Sequence, residues 1–241
     1  MNMVPTGGQS RISQHAITET TSVISHQLKT PLSAIKSSLE VVLSGDLGVL
    51  GKDQQEYMQL ALDNVKKMIT LVKDLLDASK IEEGRMQLVL EKVDPVKVAQ
   101  GVIKDLSPFA GAKNTEIEFQ AEEGVPQIQM DVIKMQQVFN NLLFNAIKYS
   151  RGKGQIMFSV KKDGDKVLFA CRDNGIGIAD SDKDKMFGKF YRSPRVSILA
   201  PDGSGLGLYI SKAIIELSGG KIWFESEVDK GTTFYFTLPI Q

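Results

Sequence analysis

Four short segments of the sequence carry side chains or glycines that could act on a nucleotide or a phosphate. The first is residues 25–31, where His26 precedes a Thr-Pro pair on a predicted helix. A neutral imidazole can accept a phosphoryl group near physiological pH, because its unperturbed pKa is about 6.5. A histidine on a kinked helix can equally be an ordinary surface residue, so this segment alone leaves both roles open.

The second segment lies on a strongly periodic predicted helix over residues 132–149. Asn141, Asn145 and Lys148 follow one another at steps of four and three, which places them on one helical face. Amide oxygens can bind magnesium and an ammonium group can bind phosphate, and either would offset the cost of burying these polar groups. A solvated polar face is the alternative, but large apolar residues on the opposite side of the helix disfavour it.

The other two segments are rich in glycine. Residues 173–178 read Asp-Asn-Gly-Ile-Gly-Ile after a predicted strand, and Asp173 could accept a hydrogen bond from a flat ligand that the glycines let approach. A plain Asn-Gly turn is the alternative. Residues 202–208 read Asp-Gly-Ser-Gly-Leu-Gly-Leu before a predicted helix, where main-chain N–H groups could bind an anion. This pattern is neither a Rossmann nor a Walker A fingerprint, and a flexible connector remains the alternative.

The elements that must position these segments begin with two helices. Apolar residues recur at steps of three and four over residues 28–42 and again over 57–75, which predicts an antiparallel helical hairpin. Asp53 is the predicted N-cap of the second helix. One hairpin cannot cover its own apolar stripe, so we expect a second copy to complete a four-helix bundle.

After Gly84 the pattern changes to strands and helices without a strict βαβ repeat. Strands are predicted over residues 86–93, 115–121, 156–161, 167–172, 221–226 and 232–238. Helices are predicted over residues 96–112, 132–149 and 206–217. The second part of the chain is therefore predicted to be an α/β sandwich with mostly antiparallel pairing.

The composition argues against several classes of function. The 29 Lys and Arg residues balance the 29 Asp and Glu residues, which disfavours nucleic acid or an anionic membrane as a partner. The single cysteine, Cys171, lies in an apolar run with no disulfide partner, and no Cys or His cluster has zinc spacing. Since no stretch approaches the roughly 20 apolar residues of a membrane span, we expect a soluble, cytoplasmic chain.

In this order and at these separations, the segments resemble those of sensor histidine kinases. His26 with the following Thr-Pro is similar to the H box of the family and residues 141–149 to its N box. Residues 173–178, 187–192 and 203–207 are similar to its G1, F and G2 boxes. The resemblance runs from about residue 12 onward and includes the closing strands at 219–223 and 231–234.

The resemblance implies an architecture with specific boundaries. Residues 1–11 would be a flexible lead, and 12–83 the dimerisation and histidine phosphotransfer hairpin, which forms a dimeric four-helix bundle. Residues 84–92 would be a linker and edge strand, and 93–241 an ATP-binding catalytic domain with the Bergerat α/β-sandwich fold. A lid would span about residues 193–204. A sensor domain upstream of this chain would complete the parent protein and could anchor it in a membrane.

The resemblance also implies ligands and residue roles. ATP and Mg²⁺ would bind, with Asn145 as the first candidate for the metal and Asn141 as the second. The implied catalytic residues are His26, Gln27 and Thr30. The implied nucleotide-binding residues are Asn141, Asn145, Lys148, Tyr149, Asp173, Gly175, Gly177, Ile178, Phe190, Arg192, Gly203, Gly205, Leu206, Gly207 and Thr233. Among these, Asp173 would recognise the adenine amino group, and Lys148 and Arg192 would neutralise phosphate charge.

In this family the phosphohistidine passes its phosphoryl group to an aspartate of a response-regulator receiver domain. By resemblance, Thr30 would orient a water molecule that dephosphorylates that regulator. Gln27 departs from the Glu or Asp that often follows the phosphoacceptor, and an amide cannot take a proton at neutral pH. His15 lacks a following Thr-Pro and is a disfavoured second acceptor.

Two other functions remain open from the sequence. ATP-driven chaperones, type II topoisomerases and mismatch-repair ATPases share the Bergerat site, but they lack a histidine-bearing hairpin upstream. They also usually carry a catalytic glutamate where Asn141 stands in this chain. A dimeric scaffold with a decayed kinase domain is disfavoured because every segment that would contact ATP is intact.

Overall fold

A computed structural model describes residues 27–199 and 203–240 of the 241-residue chain. The chain divides into two compact units, Met1–Met86 and Gln87–Gln241. His26, His15 and the predicted flexible lead lie outside the described residues. No helix in the described ranges is long and apolar enough to cross a membrane.

The first unit contains two helices, α1 over residues 27–44 and α2 over Lys52–Glu82. Gly51 precedes α2 as its N-cap, and the Gln54 side-chain oxygen accepts the Gly51 N–H at 3.0 Å. Asp53 lies in the first turn instead, so the prediction that it caps α2 was wrong. Its carboxylate still lies at the positive end of the helix dipole, which favours a helix start in this region.

The described part of this unit leaves many large apolar side chains exposed. Leu32, Leu62, Val65 and Ala78 are buried, but Met68 is 50% exposed and Tyr57 is 72% exposed. The other large apolar side chains exposed on these helices and their connection are Leu28, Ile35, Val41, Leu47, Val49, Leu60 and Leu71. The amphipathic stripe expected from the periodicity therefore extends along both helices.

The second unit is built on a five-stranded sheet. Its strands are β2 (Thr115–Ala121), β4 (Gly154–Asp163), β5 (Lys166–Asp173), β6 (Lys221–Glu227) and β7 (Gly231–Pro239). Their order is β2-β4-β5-β7-β6, with a parallel β2–β4 pair and antiparallel pairing elsewhere. Two short strands, β1 (Glu91–Val93) and β3 (Ile128–Met130), form a separate antiparallel pair. The mostly antiparallel α/β sandwich is confirmed, but the predicted strand over 86–93 is shorter than expected, because its partner β3 pairs over only three residues.

Three long helices and two short ones complete this unit: α3 (Pro95–Ala112), α4 (Val132–Tyr149), α5 (Asp180–Lys183), α6 (Pro194–Leu199) and α7 (Gly207–Leu217). Asp94 caps α3 by accepting the Val96 N–H at 2.9 Å, and proline follows it at the first helical position. Asp131 caps α4 and also accepts the Val89 N–H at 2.9 Å. The two caps set where α3 and α4 begin relative to the sheet.

The core of this unit lies between α4 and the inner face of the sheet. Phe169 and Phe236 on neighbouring strands stack with centroids 4.4 Å apart. Phe139 of α4 meets Phe158, Phe169 and Phe236 at 5.4, 5.5 and 5.9 Å. Cys171 is buried on the same face, and burial raises the pKa of its thiol well above the usual range, which agrees with an inert thiol.

Candidate functional site

Asp173 is a half-buried carboxylate at the end of β5. Its Oδ1 accepts the N–H of Gly175 at 2.8 Å and the N–H of Thr232 at 3.2 Å. Burial raises the pKa of Asp173 to about 6, and the two N–H donors only partly offset this effect. The ionised form is thus costly in the free protein, and a ligand that donates a hydrogen bond to it would stabilise that form.

The loop after Asp173 comes unusually close to its neighbours. A Cβ on Gly175 would lie 2.5 Å from the Tyr149 carbonyl oxygen at the end of α4. A Cβ on Gly177, whose φ is +65°, would lie 2.0 Å from the Glu227 carbonyl oxygen at the end of β6. Only glycine fits at these positions, and the close approach fixes the loop between α4 and the β6–β7 turn.

The two asparagines of α4 connect this helix to α7. Asn145 Nδ2 donates to Asn141 Oδ1 at 3.3 Å, and Asn141 Nδ2 donates to Ser211 Oγ at 3.0 Å. A Cβ on Gly207 would lie 2.2 Å from Asn141 Oδ1, so glycine lets α7 begin directly against this amide. Within residues 27–199 and 203–240, no donor reaches Asn145 Oδ1, and an amide oxygen is a suitable magnesium ligand.

Two cationic side chains meet the glycine-rich segment that precedes α7. A Cβ on Gly203 would lie 3.7 Å from Lys148 Nζ and 3.6 Å from the Arg192 guanidinium carbon. Burial raises the pKa of Tyr149, and the nearby Arg192 charge opposes that shift. Among residues 27–199 and 203–240, no side chain caps the N-terminus of α7, and Gly205 takes the left-handed φ of +68° just before it. A helix N-terminus beside two cations suits a polyphosphate.

Some of the predicted site residues do not belong to this cluster. The Phe190 side chain is 55% exposed, and Leu206 is buried in the core. Thr233 faces the other side of the sheet, where it lines a cavity of about 540 Å³ together with Arg172 and Tyr235. This cavity lies on the opposite face from Asp173 and α4, so it is not part of the candidate site. Gln27 and Thr30 are exposed on α1.

Two residues of the site were not predicted. The neighbour of Thr233, Thr232, donates its N–H to Asp173 and has its hydroxyl 2.8 Å from Ser226 Oγ. Adjacent strand residues face opposite sides, and the pairing of Arg172 with Thr233 places Thr232 on the Asp173 side. Ser211, the partner of Asn141, follows Gly207 by about one helical turn. That spacing places Ser211 on the same side of α7 as Gly207, but only the packing of α7 against α4 shows that it meets Asn141.

Two family models match successive parts of the chain. The His Kinase A (phospho-acceptor) domain matches residues 16–84, and the histidine kinase-, DNA gyrase B- and HSP90-like ATPase matches residues 130–241. A phosphoacceptor domain followed by this ATPase domain separates kinases from the other ATPases of the fold. The chain belongs to the sensor histidine kinases. The family and the fold inferred from the sequence are thereby confirmed.

This histidine kinase is similar to characterised proteins over nearly its whole length. It is 34% identical over 220 residues to the sensor protein kinase WalK of Staphylococcus saprophyticus, covering 90% of this chain and 36% of WalK. The structure of full-length ShkA in complex with AMPPNP superposes with a TM-score of 0.75 at 26% identity, covering 92% of this chain and 45% of ShkA. The chain thus spans about a third of the length of the curated relatives it matches.

A third match is the crystal structure of histidine kinase ThkA in complex with the response regulator protein TrrA. It has a TM-score of 0.62 at 22% identity and covers 97% of this chain and 64% of ThkA. At this identity the likeness supports the fold alone.

Proposed function

We propose that this histidine kinase binds ATP in its α/β unit and transfers the γ-phosphoryl group to His26. One observation carries the proposal: a carboxylate, a pair of amides and two cationic side chains lie beside glycine-containing segments. In these segments the main chain packs so closely against its neighbours that only glycine fits. The ATPase-like family match and the likeness to the AMPPNP complex of ShkA support ATP as the nucleotide. The match to the phosphoacceptor domain supports histidine as the acceptor.

The base would bind at the Asp173 end of the site. The Asp173 carboxylate would accept a hydrogen bond from the adenine amino group, which relieves the cost of its burial. The absent Cβ atoms at Gly175 and Gly177 would leave room for main chain to lie beside a flat ring. Ile178 and Tyr149 would supply apolar contacts, and Thr232 would hold Asp173 in place.

The phosphates would bind at the other end, between α4 and the start of α7. Lys148 and Arg192 would neutralise their charge, and main-chain N–H groups at the start of α7 would donate hydrogen bonds to them. Asn145 Oδ1 would hold Mg²⁺, with Asn141 next to it. When bound, Mg²⁺ would supply further positive charge to the polyphosphate.

In the chemical step a ring nitrogen of His26 would attack the γ-phosphorus in line. The new N–P bond forms as the bond to the β-phosphate oxygen breaks, ADP leaves with the electron pair, and the ring releases its N–H proton to water. Most of the rate enhancement would come from positioning and charge neutralisation. Gln27 can hold one imidazole tautomer by hydrogen bonding, but it cannot act as the base.

Labelling with [γ-³²P]ATP tests this function. The intact chain should acquire label that is stable to alkali and labile to acid. We expect His26→Gln to lower the incorporation by more than about 100-fold, since it removes the nucleophile. His15→Gln is the matched control and should label normally. Undiminished labelling of His26→Gln would refute the assignment of the acceptor.

A second substitution tests the role of Gln27. If the neutral imidazole needs little help from a base, Gln27→Glu should change the rate of autophosphorylation by less than about tenfold. Single-turnover labelling at saturating ATP measures this rate without interference from product release. A hundredfold faster Gln27→Glu variant would show that the parent chain is limited by a missing base.

We propose further that phosphorylated His26 donates to an aspartate of a response-regulator receiver domain, and that Thr30 assists dephosphorylation of that regulator. The exposure of Thr30 on α1 and the family match support these roles. Chasing the labelled chain with purified receiver domains tests the transfer. Thr30→Ala should slow loss of the receiver's phosphate while leaving autophosphorylation of His26 unchanged.

We also propose a homodimer formed through the helical hairpin, because its large apolar side chains are exposed along both helices. The boundaries 12–83 for the hairpin, 84–92 for the linker and 93–241 for the catalytic domain remain predictions. Expressing residues 93–241 alone and measuring ATP binding would test the last of these boundaries. Retained affinity would support it.

A further inference from the structure

Asp229 has a main-chain conformation that few residues with a Cβ adopt, although aspartate adopts it more readily than most. It lies in the turn between β6 and β7 with φ of +63°, in the left-handed region. Glycine adopts this region without penalty, whereas a residue with a Cβ does so at some cost in stability. We therefore ask which contacts of the Asp229 carboxylate offset this cost.

The Asp229 carboxylate holds two arginines from different parts of the chain. Its Oδ1 accepts Arg195 Nη2 at 2.5 Å and Arg151 Nη1 at 2.6 Å. Arg195 belongs to α6, and Arg151 follows the end of α4. These hydrogen bonds and charges keep the pKa of Asp229 below its ordinary value, so the carboxylate is ionised at neutral pH. We call Arg151, Arg195 and Asp229 the arginine clasp.

The clasp also contacts the loop that follows Asp173. The Ile176 carbonyl oxygen accepts Arg195 Nη1 at 3.2 Å and the main-chain N–H of Asp229 at 2.9 Å. Ile176 lies between Gly175 and Gly177, whose close contacts fix the same loop to α4 and to the end of β6. Arg195 thus ties α6 directly to the loop that would bound the base.

The position of Arg195 in the chain connects the clasp to the phosphate end as well. Arg195 follows Arg192 by three residues, and Ser193 between them caps α6 by accepting the Val196 N–H at 3.3 Å. Arg192 meets Gly203 beside Lys148. A short, capped segment therefore runs from the cation that would bind phosphate to the cation that holds the base loop.

We propose that Arg195 and Asp229 are positioning residues that slow the release of nucleotide from this site by holding α6 against the loop of residues 174–178. The inference rests on the proposed function, because it concerns the retention of the same ATP or ADP. The loop of residues 174–178 would flank the base, and the segment from Arg192 to α6 would flank the phosphates. The clasp joins these two segments, so it opposes the separation that lets a nucleotide leave. Neither residue touches the reacting atoms, so the chemical step itself does not depend on them.

The clasp is accessible to solvent, and this makes its effect sensitive to salt. The three side chains are 36–53% exposed. Interactions of exposed charges weaken as ionic strength rises, because the Debye length falls to about 8 Å at physiological salt and about 3 Å at 1 M. We therefore expect added salt to narrow the difference in the rate of nucleotide release between the parent chain and the variants that lack the clasp.

The test is the dissociation rate of a fluorescent ADP analogue from the full chain at low ionic strength, measured by stopped flow. Arg195→Gln and Asp229→Asn should each release nucleotide about 3- to 10-fold faster, corresponding to the loss of modest exposed ion pairs. Because the two variants lose the same Arg195–Asp229 contact, the double variant should release nucleotide more slowly than the product of the two single effects predicts. Autophosphorylation at saturating ATP should stay within about twofold, while the KM for ATP rises.

Two further variants separate nucleotide retention from stability. Asp229→Gly removes the carboxylate but also relieves the left-handed strain, so it should release nucleotide faster while unfolding at the same or a higher urea concentration. A purely structural role would instead give faster release together with unfolding at a lower urea concentration. The matched control is Lys230→Gln, which removes an ion pair with Glu227 in the same turn without touching the loop of residues 174–178.

The outcomes distinguish the two proposals. If the parent chain binds no nucleotide, the proposed function fails, and this inference fails with it. If the parent binds and the Arg195 and Asp229 variants release at the parental rate, the clasp inference alone is overturned. Equally fast release from Lys230→Gln would also overturn it, because any loss of charge in this turn would then suffice.

Discussion

The helical unit leaves large apolar side chains exposed along both of its helices, whereas the α/β unit encloses a core of its own. In the described parts of the chain, Leu32, Leu62 and Val65 are among the few buried residues of the hairpin. In the α/β unit four phenylalanines from one helix and three strands are completely buried. A unit with its own core can tolerate costly polar groups such as Asp173, while a unit without one depends on a partner surface.

The largest expected effect tests whether the core of the α/β unit is self-sufficient. Phe139→Ala removes the α4 ring that meets three other phenylalanines, and it should lower the free energy of unfolding of this unit by about 3–5 kcal/mol. The single tryptophan, Trp223, lies on β6, so its fluorescence in urea reports on this unit alone. Ile133→Ala, on the same helix but 71% exposed, is the control and should cost less than about 0.5 kcal/mol. Equal losses would contradict the comparison.

The next effect concerns the surface that the hairpin leaves uncovered. Met68 lies on the apolar stripe of α2 and is 50% exposed, so Met68→Glu would place a charge in each copy of a dimer interface. We expect dimerisation to weaken about 100-fold, or ~3 kcal/mol, in sedimentation equilibrium. Thr70→Glu adds the same charge on another face of α2 and should leave the dimer intact. Unchanged urea unfolding of both variants by Trp223 fluorescence would sharpen the contrast between the units.

A smaller effect follows from the carboxylate that the α/β unit tolerates. The folded-state pKa of Asp173 is about 6, above the unfolded value of about 3.9. Its contribution to stability is therefore fully present below pH 4 and is lost as the pH rises through 6, where the buried group ionises. At pH 8 the free energy of unfolding of Asp173→Asn should be about 1–2 kcal/mol higher than that of the parent. At pH 4 the two values should be equal. ATP binding should be lost at both pH values.

Urea titrations by Trp223 fluorescence at the two pH values measure this difference. Asp163→Asn, at the exposed end of β4, is the matched control and should shift the free energy of unfolding by less than about 0.5 kcal/mol at either pH. A less stable Asp173→Asn variant at pH 8 would mean that its hydrogen bonds to Gly175 and Thr232 outweigh the cost of burial.

The smallest effect lies on the surface of the α/β unit. Phe109 of α3 stacks on Phe144 of α4 with centroids 5.2 Å apart, and both rings are partly exposed. Phe109→Ala should cost about 0.5–1.5 kcal/mol, because an exposed aromatic pair gains little from burial. Phe109 is preferred over Phe144 because Phe144 adjoins Asn145. A loss as large as that of Phe139→Ala would show that this pair belongs to the core.

The elements whose signals are local were predicted well. The predicted helix over residues 132–149 and the predicted strand over residues 115–121 have the bounds of α4 and β2 in the structure. The N-cap of α2 was missed because the hydrogen bond to the Gly51 N–H comes from Gln54, which lies inside the helix. The neighbouring Asp53 is of a residue type that is more common at N-caps. Short elements such as β3 and α6 were missed because three to six residues do not establish a period.

The sequence predicted which segments form the candidate site, but it did not predict which of their residues contact one another. The types and spacing of Asn141, Asn145 and Lys148 follow from helical periodicity, and they do lie together on α4. The roles of Thr232 and Ser211 depend on strand register and on helix packing, which no local pattern of residues encodes. Thr233 lies on the face of the strand opposite to Asp173, and its role in nucleotide binding stays a prediction.

By itself, the sequence determined which chemical groups this histidine kinase has, the order in which they occur, and the helix or strand that carries most of them. These properties depend on residue types and on spacings of a few positions. Tertiary structure alone decided that Thr232 meets Asp173, that Ser211 meets Asn141, and that Asp229 holds Arg151 and Arg195. Each of these contacts joins residues 34 to 78 positions apart, and only the packing of the whole unit brings such residues together.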